Sequence, residues 1–198
     1  MVSSIIPLRV FANEQSSQAA ISVIDRFNQT LLVGMKCGKQ ILFAQRFQRL
    51  SVAVDLAFDL PTILSASIGQ SWLRFSPEEQ KNLTETFRRY TISSYVANFD
   101  EYSGQTFICL PEIRQLDDVK ILVQSRMAPS SGTAIEIDYV MQPTPLEWKV
   151  VDVLLAGSIS RVAVQRSDFR HIIANGGAEA LIAELDTKTS QMSGKTVS

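Results

Sequence analysis

The chain is poor in the side chains that build metal and redox centres: its 198 residues include one histidine and two cysteines. That scarcity excludes zinc-finger and cysteine-rich scaffolds, which need several Cys or His ligands at short spacing. The nine glycines are scattered, so no Gly-rich phosphate loop is present. Neither sign of charge dominates. Nineteen Lys and Arg face twenty Asp and Glu, whereas a dedicated nucleic-acid binder carries a clustered basic excess. No run approaches the roughly 18 apolar residues of a membrane span. The first twelve residues hold an apolar patch (Ile5, Ile6, Leu8, Val10, Phe11) broken by Pro7 and Arg9. It lacks the basic start and long apolar core of a secretory leader. The segment therefore reads as a cytosolic N-terminus or as the start of a mature exported chain.

What is present is a balanced globular composition, with 45% apolar and 20% charged residues. The length fits one domain of the usual ~100–200 residues. Such a chain buries roughly 70% of its unfolded surface and needs no disulfide or metal staples. Cys37 and Cys109 fit either a bridge in an oxidising compartment or two small buried thiols.

The first half reads helical. From Gln18 to Lys36, Ile21, Ile24, Phe27, Leu31 and Met35 recur at three and four residues and make one apolar face. A second face runs through Phe43, Phe47, Leu50, Val54, Ala57 and Phe58, and Pro61 permits a restart over 61–69. Ser76 before Pro77, with Glu78 and Glu79 following, predicts the N-terminus of a helix reaching about Asn98. That helix should bury Leu83, Phe87, Tyr90, Ser94, Tyr95 and Phe99. After Gly104 the period changes to two. Strands are predicted over 105–110, 119–127, 133–142 and 147–155, with turns at Pro129–Gly132 and Pro143–Pro145. Two helices, 160–174 and 178–188, close the chain around Gly176–Gly177, and the polar residues 189–198 read as a frayed tail. The order is α+β: N-terminal helices, an antiparallel sheet of about four strands, then C-terminal helices. The fourth strand is apolar on both faces, so the sheet is covered twice or faces a cavity.

Chemistry is hard to find. Ser158 lacks the second glycine of a nucleophile elbow, and His171 follows Arg170 in a helix as a surface or packing residue. No cluster of metal ligands is visible, and no cofactor is implied. Asp138 and Asp152 lie in strands; in an apolar cavity either would have a raised pKa and serve as a base. The plainer expectation puts Asp138 with Glu136 on a solvated face and pairs Asp152 with an arginine. The sequons at Asn28 and Asn82 fall inside helices. Arg161, Arg166 and Arg170, with His171, form the densest basic group, suited to an anionic head group or a partner's acidic face.

The order of several motifs resembles the MlaC (toluene-tolerance) family. These are Phe58-Asp59-Leu60, Ile68-Gly69, Trp72, the Ser76–Gln80 run, Phe87, Tyr95 and Tyr102-Ser-Gly104. The second half adds Trp148–Val153, Ala156–Ser160, Arg166–Phe169, Gly176-Gly177 and Leu181–Leu185. Phe43–Arg46, Phe87–Asp100 and Ser160–Phe169 look like the hopanoid-associated HpnM branch. Two departures point the same way. Val164-Gln165-Arg166 stands where the common pattern has Asn-Tyr-Arg, and Leu64–Ser67 where it has an Ala-Arg pair.

The resemblance implies one lipid-binding domain over 18–188, with 1–17 as an extension and 189–198 as a tail. It implies a twisted sheet and helices enclosing an apolar pocket, periplasmic location behind a signal peptide absent from this chain, and no catalysis. The ligand would be a phospholipid or hopanoid carried between inner and outer membranes by a monomer, with transient docking on a membrane-associated transport complex. On that reading Val123, Ile137, Tyr139, Val151 and Val153 form the pocket floor. Leu56, Phe58, Leu64, Ile68, Trp72, Tyr95 and Phe99 form its walls, and Arg161, Arg166 and Arg170 the docking face. Two other classes fit the residues: an NTF2-like cavity enzyme using Asp138 or Asp152, and an adaptor with a solid core.

Overall fold

Four helices precede the sheet, and each starts or stops for a local reason. The computed structural model describes the backbone of residues 8–194, with side chains from Ser16 onward. Ile5, Ile6 and residues 195–198 of the expected terminal segments lie outside the described residues. Helix α1 spans Leu8–Cys37, beginning ten residues before the expected start at Gln18. Its face Ile21, Ile24, Phe27, Leu31 and Met35 is buried throughout. Helix α2 (Phe43–Ala57) buries Leu50, Val54 and Ala57. Asp59 then caps α3 (Leu60–Ile68), accepting from the Thr62 amide and hydroxyl. Helix α4 (Pro77–Asn98) opens with a complete capping box, in which Ser76 and Glu79 satisfy each other's amides.

The sheet has the order β1-β2-β3-β4-β5, every neighbour antiparallel. Its strands are β1 (Thr106–Gln115), β2 (Ile121–Ala128), β3 (Ile135–Pro143), β4 (Trp148–Leu155) and β5 (Ile159–Ser160). Five strands form where about four were expected, because Ile159 and Ser160 fold back onto the end of β4. The last element, α5 (Arg161–Gly194), joins the two expected helices across a bend. Gly177 makes the bend with φ of +65° and ψ of −150°, a sparsely populated region that costs other residues roughly 1–3 kcal/mol. The helix continues through residues 189–194, where Ser94 Oγ donates to Met192 Sδ at 3.6 Å.

One irregularity decides which side chains meet the helices. The β3–β4 register shifts between Val140 and Met141, leaving Val151 as the extra residue. Strict alternation puts Val151 on the face of Val153 and Leu155. The bulge instead gives that place to Val150, which joins the main core, while Val151 packs with Leu122 and Val140 in a separate cluster. Helix α1 lies against β1, β2 and β4, and α2, α3 and α5 reach β4. Helix α4 packs mainly on α2, α3 and α5, leaving space between itself and the strands.

Candidate functional site

That space is a cavity of about 420 Å³, within the size range of ligand pockets. Helix α4 supplies one wall through Phe87, Tyr90, Thr91, Ser94, Tyr95 and Asn98, a single helical face at spacings of one, three and four. Phe58, Leu60 and Ile63 supply another. The floor is Met127, Ile135, Ile137, Tyr139, Val153 and Leu155, and Phe99, Asp152, Arg161, Val162 and Gln165 complete the lining. An aromatic cluster stiffens it: Tyr95 stacks on Phe99 with centroids 5.9 Å apart, and Phe27 meets Phe58 and Tyr95 edge-on at 5.0 and 5.1 Å.

The structure thus brings Phe58, Tyr95, Phe99, Ile137, Tyr139 and Val153 to the cavity and places six other expected lining residues elsewhere. Leu56 is 57% exposed on the outer side of α2, and its carbonyl accepts from Lys149. Leu64 and Ile68 are buried in the core beyond the lining, since α3 offers Leu60 and Ile63 to the cavity instead. Trp72 sits half-buried in a 3-10 turn. Val123 is fully buried in the core, and the bulge removes Val151. Sequence reading missed Leu60, Ile63, Thr91, Asn98, Met127, Ile135 and Gln165. The helical face of α4 was visible, but nothing local says that this face meets open space.

Polar groups in and beneath the cavity are mostly held. Tyr139 donates its hydroxyl to Asn28 Oδ1 at 3.2 Å, and Asn28 Nδ2 donates to Ser125 Oγ at 3.3 Å and Cys109 Sγ at 3.6 Å. The buried Asn28 is therefore a structural linchpin between α1 and the sheet. Burial raises the hydroxyls of Tyr95 and Tyr139 above the usual phenol range, in Tyr95 against the opposing charge of Arg161. Thr91 Oγ1 is buried without a partner among the described residues.

Neither strand aspartate stands ready as a base. Asp138 is 4% exposed rather than solvated, because it turns in to accept from the Ser125 amide at 3.2 Å. Burial raises its pKa, but it does not line the cavity. Asp152 lines the cavity, yet it forms no ion pair with an arginine among the described residues. It caps α5 instead, accepting from Ser160 Oγ and, at 3.0 Å, from the Val162 amide. Both cysteines are free. Cys109 lies beside Asn28, nine residues and about 13 Å along α1 from Cys37, too far for a bridge. Among the described residues no three metal-binding side chains cluster, and no helix is long and apolar enough to cross a membrane.

The basic residues of α5 do different jobs. Arg161 stands at the cavity, Arg166 donates Nε and Nη2 to the Ala66 carbonyl at the end of α3, and Arg170 is exposed beside the exposed His171.

No curated protein matches this sequence. Among solved structures, the fold is similar to the phospholipid-binding protein from Ralstonia solanacearum in complex with a phospholipid. The two share 21% identity over 89% of this chain and 98% of that one, with a TM-score of 0.75. A family model described as MlaC protein matches residues 25–187. With the match spanning most of the sequence, the chain belongs to the MlaC family.

Proposed function

We propose that this protein is a non-enzymatic lipid carrier that shelters acyl or polycyclic hydrocarbon in the cavity between α4 and the sheet. The observation that carries the reading is the cavity itself: about 420 Å³, walled chiefly by apolar and aromatic side chains that belong to or pack against the main core. Each methylene moved there from water contributes about 0.8 kcal/mol, so about ten buried methylenes supply roughly the 8 kcal/mol of a micromolar complex. Membership in the MlaC family supports the reading, as does a structural relative that holds a phospholipid. A shuttle of this kind works as a monomer in the periplasm between inner and outer membranes, docking transiently on a membrane-bound transport complex through Arg161 and Arg170. Its cargo is a phospholipid or, on the likeness to the hopanoid-associated branch, a hopanoid.

Purification without detergent from a hopanoid-producing host, followed by solvent extraction and mass spectrometry, tests the reading. A stoichiometric phospholipid or hopanoid supports it and identifies the cargo. An empty extract, together with no binding of a fluorescent acyl probe, refutes it in favour of an adaptor with a rigid cavity.

A further inference from the structure

A second, smaller cavity lies between α1, α2 and the end of α4, and it contains a charge without a counter-charge. Arg46 is 4% exposed. Its Nη1 donates to the Val96 carbonyl at 3.1 Å, but Nε and Nη2 are shut from solvent with no acceptor among the described residues. These two nitrogens form the side-on edge of the guanidinium. In Arg88 the same edge grips both oxygens of Asp55, at 2.7 and 2.6 Å. The Arg46 guanidinium is thus a buried cation. No carboxylate among the described residues pairs with it.

The cavity that Arg46 lines measures about 50 Å³, against the roughly 10–15 Å³ that one water requires. Arg49 lines it as well, and no acidic residue does. Among the described residues, the Arg49 Nη1 donates only to Cys37 Sγ, at 3.7 Å. Ile41, also in the lining, immediately precedes Leu42 at the N-terminus of α2, which has no side-chain cap; the positive end of that helix adds to the field. The Val96 carbonyl and the Phe43 ring, whose centroid lies 5.9 Å from the guanidinium carbon, offset part of the Arg46 charge, but no anion among the described residues does, and a buried charge without one is unfavourable.

We propose that this cavity binds one oxyanion, a carboxylate or phosphate group, held by the Nε–Nη2 edge of Arg46 with Arg49 as the second cation. Because the edge is packed shut, binding includes a turn of the Arg46 side chain toward the cavity it already lines. Phe99 lines both this cavity and the main one. The oxyanion is therefore either a free ion or the head of a lipid whose chain lies across Phe99; only the second source rests on the carrier reading.

The test is a titration of the delipidated protein, labelled with ¹⁵N, following the Arg46 Nε–Hε resonance with inorganic phosphate, decyl phosphate and decanol in turn. A saturable shift with inorganic phosphate supports a free-ion site. One with decyl phosphate alone supports a head-group site. Arg49→Gln, followed by the same resonance, and Arg46→Lys, followed by the phosphorus-31 signal of the added phosphate, should each weaken the interaction about tenfold or more, the loss expected for a charge-assisted hydrogen bond. If Arg46→Lys does not fold, Arg49→Gln carries the comparison. No saturable shift with either phosphate, or an equal shift with decanol, overturns the proposal. The carrier reading is judged separately, by whether decanol and an acyl probe enter the main cavity.

Discussion

Replacing Val153 by phenylalanine should shorten the chain that the protein can bury. Val153 sits on β4 opposite Tyr139, 8% exposed, with its side chain in the floor of the main cavity. The substitution adds about four carbons to existing space, so the strain that accompanies added methylenes in a filled core should be small. Those carbons displace about four methylenes of ligand, worth roughly 3 kcal/mol, or about 200-fold in Kd for a ligand that fills the wild-type cavity. The assay is displacement of a fluorescent acyl probe by a homologous series of single-chain lipids below their micellar concentrations. In the wild type, affinity should rise about fourfold per carbon and then level off when the cavity is full. In Val153→Phe the levelling should come about four carbons earlier, with short members of the series hardly affected. Identical plateaus for both proteins, with the variant's circular dichroism and Tm unchanged, would refute the placement of the hydrocarbon in this cavity.

Three further outcomes follow from the buried polar groups. Burial, with the Glu136 charge adding to it, raises the Asp138 pKa against the pull of the Ser125 amide. The native state therefore holds that proton more tightly than the unfolded chain does, so the group's contribution is favourable below about pH 4 and is lost as pH rises through the native pKa. Asp138→Asn should accordingly raise Tm at pH 7, with the gain shrinking toward pH 4; a constant difference across a pH series of thermal melts would contradict this. Asp152→Ala removes one of the two side-chain acceptors at the start of α5 and the anchor of the other, Ser160 Oγ, a loss of about 1 kcal/mol that should lower Tm by roughly 2–4 °C; an unchanged Tm in calorimetry would count against the capping role. Burial pushes the Cys109 thiol up to about 12, so at pH 8 it stays protonated. Iodoacetamide should label Cys37 in the native protein and both cysteines after unfolding, as read by peptide mass spectrometry.

The placement of α1, α2, α3 and α4 was legible because their signals act within one or two turns. The Ile21–Met35 stripe, the Asp59 and Ser76 caps and the restart at Pro61 are all local in sequence. So was the change of period at Gly104, which marks the switch from helices to strands. The ordered motifs from Phe58 to Leu185 pointed to the family, as the match over 25–187 bears out. Other features depended on partners far along the chain. Val151 leaves the inner face because a bulge opposite Val140 and Met141 shifts the count by one, and a strand's own alternation contains no trace of its partner's register. Asp138 looked solvated beside Glu136, yet the Ser125 amide on the neighbouring strand draws it in. The bare edge of Arg46 was equally hidden, since its one hydrogen-bond partner among the described residues, the Val96 carbonyl, lies on α4 far along the chain.

By itself, then, the sequence determined the α+β order, the helical faces, the helix caps and the family. Tertiary structure alone decided which apolar face meets hydrocarbon-sized space and which meets other side chains. The physical reason is that Phe87, Tyr90 and Tyr95 have the same chemistry whether packed or facing a cavity. Only the distance at which α2, α3 and α5 hold α4 from the sheet separates the two cases.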